Sequence, residues 1–208
     1  MTTAKKHQSV LIAEYEANDL GVPFKVILLN SVRQLIDGKT GEVDQVIIPN
    51  LRGLIKCIAI TRILNSRKLS GGEIRFVRKA FKLPSKHVAE MIGVTPEHLS
   101  RCESEERLLS AGAEKCLRVS IFLEQFKIFE ELDALCEKDS NLERKLSDVR
   151  EAIKKIGNII REMKISAAFE ASPLVFKFHI NSDPEKDLFN DDLNVDWSSN
   201  DKDLAMAA

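Results

Sequence analysis

The chain has 208 residues, of which 44% are hydrophobic and 30% charged, and its formal net charge is −1. This length accommodates one or two small globular domains, and the absence of any run of 18 apolar residues argues against a membrane-spanning protein. Because the first nine residues lack the apolar core of a secretory signal, we expect a cytoplasmic protein. The four cysteines form no CxxC pair, which argues against zinc and disulfides.

Charge is unevenly distributed along the sequence. Residues 66–118 carry eleven Lys or Arg and seven Glu, a balance of +4, whereas residues 181–203 carry eight Asp or Glu and two Lys, a balance of −6. The acidic segment has few apolar residues with which to offset the entropy of ordering. We therefore predict a mildly basic middle and an acidic disordered tail over residues 181–208.

The first 65 residues predict a β-hairpin followed by a helix. Phe24 to Ile36 alternates with a period of two, the glycine-containing turn Asp37 to Gly41 follows, and Val46 to Ile48 forms a second short apolar run. From Leu51 onward the apolar spacing changes to that of an amphipathic helix, with Asn50 as the N-cap. Two strands bury little surface, so this hairpin must pack on the helix or on a partner chain.

The C-terminal half predicts long helices and one strand. A helix is expected over Leu117 to Leu135, and a second follows residues 138–141. This second helix carries a heptad repeat in which apolar residues alternate at steps of four and three. The seam consists of Leu142, Leu146, Val149, Ile153, Ile156, Ile160 and Met163. It fits an intramolecular helical hairpin and a dimer interface equally well, and the alternating Pro173 to Ile180 predicts a strand that extends the hairpin.

Between these regions the spacing is typical of a helix-turn-helix. Ser70 and Glu73 form a capping box at the start of one helix, and Pro84-Ser85 starts the next. Two helices that cross steeply need a small residue at their contact and a glycine at the bend, and Ala89 and Gly93 supply these at the required separation. Thr95-Pro96 then starts the second helix of the motif.

The outward residues of the motif are the candidate DNA-binding residues. Arg101 is the best candidate for base recognition, because a guanidinium can donate two parallel bonds to guanine, although an ion pair with Glu97 is an alternative. His98 fits a DNA contact or a structural role equally well, and the glutamates at 90, 103, 105 and 106 are interpreted as solvated. The full predicted set is Ser85, Lys86, His87, Thr95, Glu97, His98, Ser100 and Arg101.

Residues 69–79 and 88–103 resemble the Xre/Cro-type helix-turn-helix, in particular the version in MqsA-type zinc-finger antitoxins. The weaker similarity of residues 26–50 to their N-terminal module extends the resemblance over about residues 15 to 120. Where that module has a CxxC pair this chain has Asp37 and Thr40, so we predict no metal. The family's Asn-Gly after the glutamate is replaced by Ser104 and Glu105. The resemblance implies bacterial or phage transcription regulation.

The expected fold is mainly α with a small β-hairpin module. Its expected divisions are an N-terminal module (1–65), a helix-turn-helix domain (66–118), a helical dimerisation region (119–166), a strand (167–180) and the tail (181–208). The function indicated is a dimeric, sequence-specific DNA-binding repressor that recognises a palindromic operator. Two alternatives are an antitoxin that represses its own operon and binds a toxin, and a protein-binding adaptor with a degenerate motif. No catalytic constellation is recognisable, and no cofactor is expected.

Overall fold

The computed structural model describes residues 7–124, 140–166, 169, 172–181 and 196–199, and for residues 7 and 140–150 it gives the backbone alone. The chain divides into two compact units. Residues 1–61 and 172–205 form the first unit, and residues 62–171 with 206–208 form the second. The first unit therefore combines segments from both halves of the sequence, which the five predicted divisions did not anticipate.

The first unit is built on a sheet of five strands. These are β1 (His7–Glu16), β2 (Lys25–Asp37), β3 (Val43–Ile47), β4 (Val175–Ile180) and β5 (Trp197–Ser199). β1 runs antiparallel to β2 along one edge of β2. On the opposite edge, the first half of β2 pairs with β4 in parallel and the second half pairs with β3 in antiparallel orientation. β5 pairs with β4 and completes the sheet.

The predicted fold class is wrong, because this sheet is far larger than a hairpin. The predicted β2–β3 hairpin, the helix that follows it and the strand near the C-terminus are present. What the prediction lacked was β5 and, above all, β1, which pairs with β2 from His7↔Asp37 to Glu16↔Ile27. Parallel pairing of β2 with β4 links residues about 150 positions apart, and no local pattern reports such a contact.

Trp197 anchors the last strand to the first unit. Its indole Nε1 donates to the Pro49 carbonyl at 3.1 Å, and its side chain is 8% exposed. Its own carbonyl accepts from the Cys57 thiol at 3.4 Å. The prediction of a disordered tail is therefore wrong for residues 196–199, and the remainder of the predicted tail after Asn181 lies outside the described residues.

The helices begin with α1 (Leu51–Leu64), whose residues after Thr61 belong to the second unit. Asn50 caps α1, since its Oδ1 accepts from the Gly53 amide at 2.9 Å. The second unit continues with α2 (Gly71–Ala80), α3 (Ser85–Met91), α4 (Pro96–Glu103), α5 (Ala111–Glu124) and α6 (Ser140–Glu162). Of the helix predicted over Leu117 to Leu135, residues 125–135 lie outside the described part.

A buried cluster of charges connects α1, α2 and α5. Arg62 makes a two-point ion pair with Glu73, through Nε at 2.7 Å and Nη2 at 2.9 Å. Arg118 pairs with Glu114, which also accepts from Lys68 at 3.3 Å. Burial lowers the pKa of Arg118 more than the nearby Glu114 carboxylate raises it. The two guanidinium groups also donate to carbonyls of residues 63–68, so that they hold the loop from which α2 starts.

The C-terminal end of the heptad seam packs against residues of the same chain. Ile160 is 0% and Met163 3% exposed, and the Met163 sulfur accepts from Arg118 at 3.7 Å. Lys115 donates to the Arg161 carbonyl at 3.2 Å, which also ties α5 to α6. Ile153 and Ile156 are half-buried, whereas the side chains of Leu142, Leu146 and Val149 lie outside the described residues. At its C-terminal end, therefore, the repeat forms intramolecular packing.

Candidate nucleic-acid interface

α3 and α4 form a helix-turn-helix around Gly93. The Gly93 amide donates to the Glu90 carbonyl at 3.2 Å, and the Val94 amide donates to the Ala89 carbonyl at 3.0 Å. These two bonds define a Schellman motif, which requires a left-handed residue at the turn, and Gly93 has φ = +68°. The predicted role of Gly93 in the bend is confirmed.

The helices on either side of α3 terminate in the same way. After α2, the Lys82 and Leu83 amides donate to the carbonyls of residues 79 and 78, and after α4 the Glu105 and Glu106 amides donate to those of residues 102 and 101. The left-handed residues are Lys82 (φ = +55°) and Glu105 (φ = +66°). Neither residue type signals this conformation, so only the Gly93 turn was recognisable from the sequence.

The apolar residues of the helix-turn-helix are buried. Val88, Ala89 and Leu99 are each 0% exposed, and Ile92 and Cys102 are 8% and 2% exposed. Burial is the main cause that raises the pKa of the Cys102 thiol. Because Ala89 has only a methyl group, α3 can approach its neighbours closely at this position, as the sequence predicted.

One face of α4 is open to solvent. Glu97, Ser100 and Arg101 are exposed, and their spacing places them on one side of the helix. Within residues 7–124 and the other described segments, no carboxylate forms an ion pair with Arg101, and the alternative pair with Glu97 is not formed. The Arg101 guanidinium is therefore available for an external acceptor.

The N-terminus of α4 is capped by Thr95. Its Oγ1 accepts from the His98 amide at 3.1 Å, which leaves the hydroxyl proton available for donation. His98 is half-buried, and its Nε2 lies 3.8 Å from the Cys102 sulfur, one turn further along the helix. Of these two candidates, Thr95 is exposed at the N-terminus of α4, whereas the His98 side chain is partly buried and contacts Cys102 of the same helix.

The three candidates at the start of α3 differ in exposure. Lys86 is exposed and Ser85 half-buried. The His87 Nε2 lies 3.7 Å from Glu124 Oε1, an ion pair when the imidazole is protonated. An anion near the start of α3 would therefore meet the exposed ammonium of Lys86 and, at His87, a side chain that already faces a carboxylate.

Glu103 is not the solvated charge that the sequence suggested. It is 7% exposed, and both of its carboxylate oxygens accept from Arg78, at 2.6 and 2.9 Å. Arg75 lies 3.6 Å from the same carboxylate and donates to the Glu103 carbonyl at 3.2 Å. Two guanidinium groups thus neutralise the acidic residue nearest to Arg101 along the chain.

The described residues contain no group of three or more His, Cys, Asp or Glu side chains arranged to hold a metal ion. Among the described helices, none has the length and apolar character needed to cross a membrane. No protein-family model, curated protein or solved structure matches the chain significantly. Any proposal for the function therefore rests on the geometry of α2, α3 and α4 together with the sequence resemblance.

Proposed function

We propose that the protein is a sequence-specific DNA-binding transcriptional repressor that acts as a dimer on a palindromic operator in the cytoplasm. The observation that carries this proposal is the open face of α4, which follows the Schellman turn at Gly93. Arg101 is exposed on this face and has no ion-pair partner among the described residues. In DNA-binding helix-turn-helix proteins the second helix enters the major groove while the first crosses the backbone. α4 and α3 take these two roles.

We assign base recognition to the exposed face of α4. The guanidinium of Arg101 can donate two parallel hydrogen bonds to O6 and N7 of guanine, and the Glu97 carboxylate can accept from the amino group of cytosine. Ser100, on the same face, can donate or accept. These three side chains provide donors and acceptors of different geometry, which is what discrimination among base pairs requires.

We assign phosphate binding to groups at the N-termini of α3 and α4. Pro96 has no amide proton and the His98 amide donates to Thr95, so the groups that can donate to a phosphate at the N-terminus of α4 are the Thr95 hydroxyl and the Glu97 amide. The helix dipole favours negative charge at this position. Lys86 contributes an exposed ammonium on the adjoining helix. These contacts position the protein and carry little sequence information.

The pairing of Glu103 weakens one part of the case for the adaptor alternative. That alternative rests on the glutamates after Arg101, at positions 103, 105 and 106, because a carboxylate near a phosphate weakens binding. Arg78 and Arg75 neutralise Glu103, whereas Glu105 and Glu106 are exposed. A monomer with a local balance of only +4 is expected to bind weakly, so two copies on two half-sites are part of the proposal.

Selection of a binding site from random duplexes, followed by anisotropy titration, tests the proposal. We expect one enriched palindromic sequence, an affinity that falls steeply between 50 and 200 mM salt, and loss of sequence preference in Arg101→Ala, worth about 1 to 3 kcal/mol at one base pair. Arg52→Ala removes an exposed guanidinium from α1 and serves as the charge-matched control.

Three outcomes would lead to a different assignment. Absence of any enriched sequence with retained capture of a protein partner would favour the adaptor. An equal loss in Arg101→Ala and Arg52→Ala would show non-specific electrostatics only. Specific DNA binding together with a tight complex with a toxin encoded beside the gene would identify the antitoxin instead.

A further inference from the structure

The edge of β1 is unusual among the strand edges that the structure describes. β1 has ten residues and lies at the end of the strand order, with β2 on its inner side and, among the described residues, no strand on its outer side. The other terminal strand, β5, has three residues, and β3 has five and includes Asp44. β1 therefore offers by far the longest row of backbone donors and acceptors.

Natural edge strands are usually protected by lysine, proline or a bulge within the strand. From Gln8 to Ala13 β1 contains neither a charge nor a proline. The register shift between β1 and β2 places the extra residue in β2, near Asn30 (φ = +47°), so β1 itself continues without interruption. Val10 and Leu11 remain 38% and 37% exposed, one on each face of the sheet.

We propose that the outer edge of β1 binds the same edge of a second copy, in antiparallel orientation, and joins the two sheets into one. This inference concerns how the chain self-associates and stands whether or not the protein binds DNA. A two-fold axis requires identical edge strands to run antiparallel. Because directly opposed residues share a face, the axis must also pass beside one residue of β1, which then faces its own copy.

The sequence of β1 selects Leu11 as that residue. In this register Val10 lies opposite Ile12 of the second copy, and Leu11 lies opposite Leu11 of that copy, so apolar side chains meet on both faces. An axis at Ile12 would set Val10 against Glu14, and an axis at Val10 would set Gln8 against Ile12. Each of these two registers places an apolar residue opposite a polar one.

The polar residues on either side of this apolar centre are compatible with a second copy. Antiparallel pairing about Leu11 sets Gln8 of each copy opposite Glu14 of the other, and both side chains are exposed. The Gln8 amide can donate a hydrogen bond to that carboxylate. Glu14 already contacts Lys177, but both of these side chains are at least 42% exposed and can accept further partners.

A charge-exchange experiment tests the proposal. One variant carries Gln8→Glu, and the other carries Gln8→Lys together with Glu14→Lys. Each variant sets like charges opposite each other at positions 8 and 14 of its own dimer, whereas a mixture sets opposite charges together at both ends. By sedimentation velocity at low salt we expect dimeric wild type, at least tenfold weaker dimerisation of each variant alone, and a one-to-one heterodimer on mixing. A monomeric wild type, or variants that dimerise as well alone as mixed, would overturn it.

Cysteine crosslinking tests the register in the otherwise native chain. A cysteine in place of Leu11 would face its own copy, within the Cα separation that a disulfide spans. A cysteine in place of Gln8 lies roughly 20 Å from its copy, since six residues separate them along the strands, and is the matched control. Covalent dimer above the wild-type level in L11C alone is expected, and equal crosslinking of L11C and Q8C would overturn the register.

Discussion

Arg78 of α2 and Glu103 of α4 form a two-point ion pair between residues 25 positions apart, with Nε–Oε1 and Nη2–Oε2 distances of 2.6 and 2.9 Å. The hydrogen bond to Glu103 is the main cause that raises the pKa of Arg78. Arg78 also donates to the Leu83 carbonyl at 3.1 Å, in the loop between α2 and α3. This pair therefore fixes the end of α4 against the preceding helices.

Replacement of Glu103 by alanine should destabilise the second unit. Glu103 is 7% exposed and Arg78 15%, so the substitution leaves a largely buried guanidinium without its carboxylate partner. Breaking a buried pair in this way costs about 3 kcal/mol. Chemical denaturation followed by circular dichroism measures the loss.

Glu90 provides the control for this substitution. It is an exposed glutamate on α3, and Glu90→Ala should change the free energy of unfolding by less than about 0.5 kcal/mol. Equal stability of Glu103→Ala and Glu90→Ala would mean that the ion pair does not hold α4 in place.

Glycine at position 105 should stabilise the protein. Glu105 has φ = +66°, a conformation that costs an L-residue about 1 to 2 kcal/mol and glycine almost nothing. The greater conformational entropy of glycine in the unfolded chain offsets part of this stabilisation. We expect Glu105→Gly to raise the free energy of unfolding by about 0.5 to 1 kcal/mol, as measured by urea denaturation.

The neighbouring residue is the matched control for position 105. Glu106 does not have a positive φ, so Glu106→Gly should lower stability through chain entropy and through loss of the hydrogen bond that Glu106 Oε1 accepts from Ser104 Oγ at 3.0 Å. In the reverse direction, Gly93→Ala should cost about 1 kcal/mol from backbone strain, because an added Cβ at Gly93 meets no atom within 4 Å. A much larger loss at Gly93 would indicate a steric role for this glycine.

Local patterns predicted the parts of the fold that short-range rules determine. The Ser70–Glu73 capping box is formed, with the Glu73 amide donating to Ser70 Oγ at 3.2 Å and the Ser70 amide donating to Glu73 Oε2 at 2.6 Å. The β2–β3 hairpin and the Gly93 turn follow in the same way from residues close in sequence. β1 was missed because its polar and apolar residues follow no simple alternation, and its half-exposed position at the edge does not require one.

The candidate site shows the same division between local and long-range determinants. The exposed positions of Arg101 and Glu97 follow from helical spacing, and the sequence predicted them. The burial of Glu103 depends on Arg78 and Arg75, which lie on another helix, and its charge alone suggested a solvated side chain. The sequence also contained no signal that Glu105 adopts a left-handed conformation, because glutamate rarely does so.

The thiol of Cys57 should react slowly with iodoacetamide. Burial raises its pKa from 9.0 to about 11, so at pH 8 its thiolate fraction is about 100-fold lower than that of a thiol at the ordinary value. Cys116 is exposed and serves as the internal reference in a Cys136→Ser chain analysed by peptide mass spectrometry. The labelling rate of Cys57 should continue to rise between pH 9 and 11, and a plateau near pH 9 would contradict the raised pKa.

Ile160 and Ile159 distinguish intramolecular packing of α6 from a coiled-coil dimer. Ile160 is 0% exposed and lies near Met163, which contacts Arg118 of α5, whereas its neighbour Ile159 is 49% exposed. Ile160→Ala should cost about 2 to 4 kcal/mol by removing buried methyl groups, and Ile159→Ala less than about 0.5 kcal/mol. Because the contact lies within one chain, the loss for Ile160→Ala should not vary with protein concentration in denaturation experiments. A loss that grows on dilution would place this part of the seam between two copies instead.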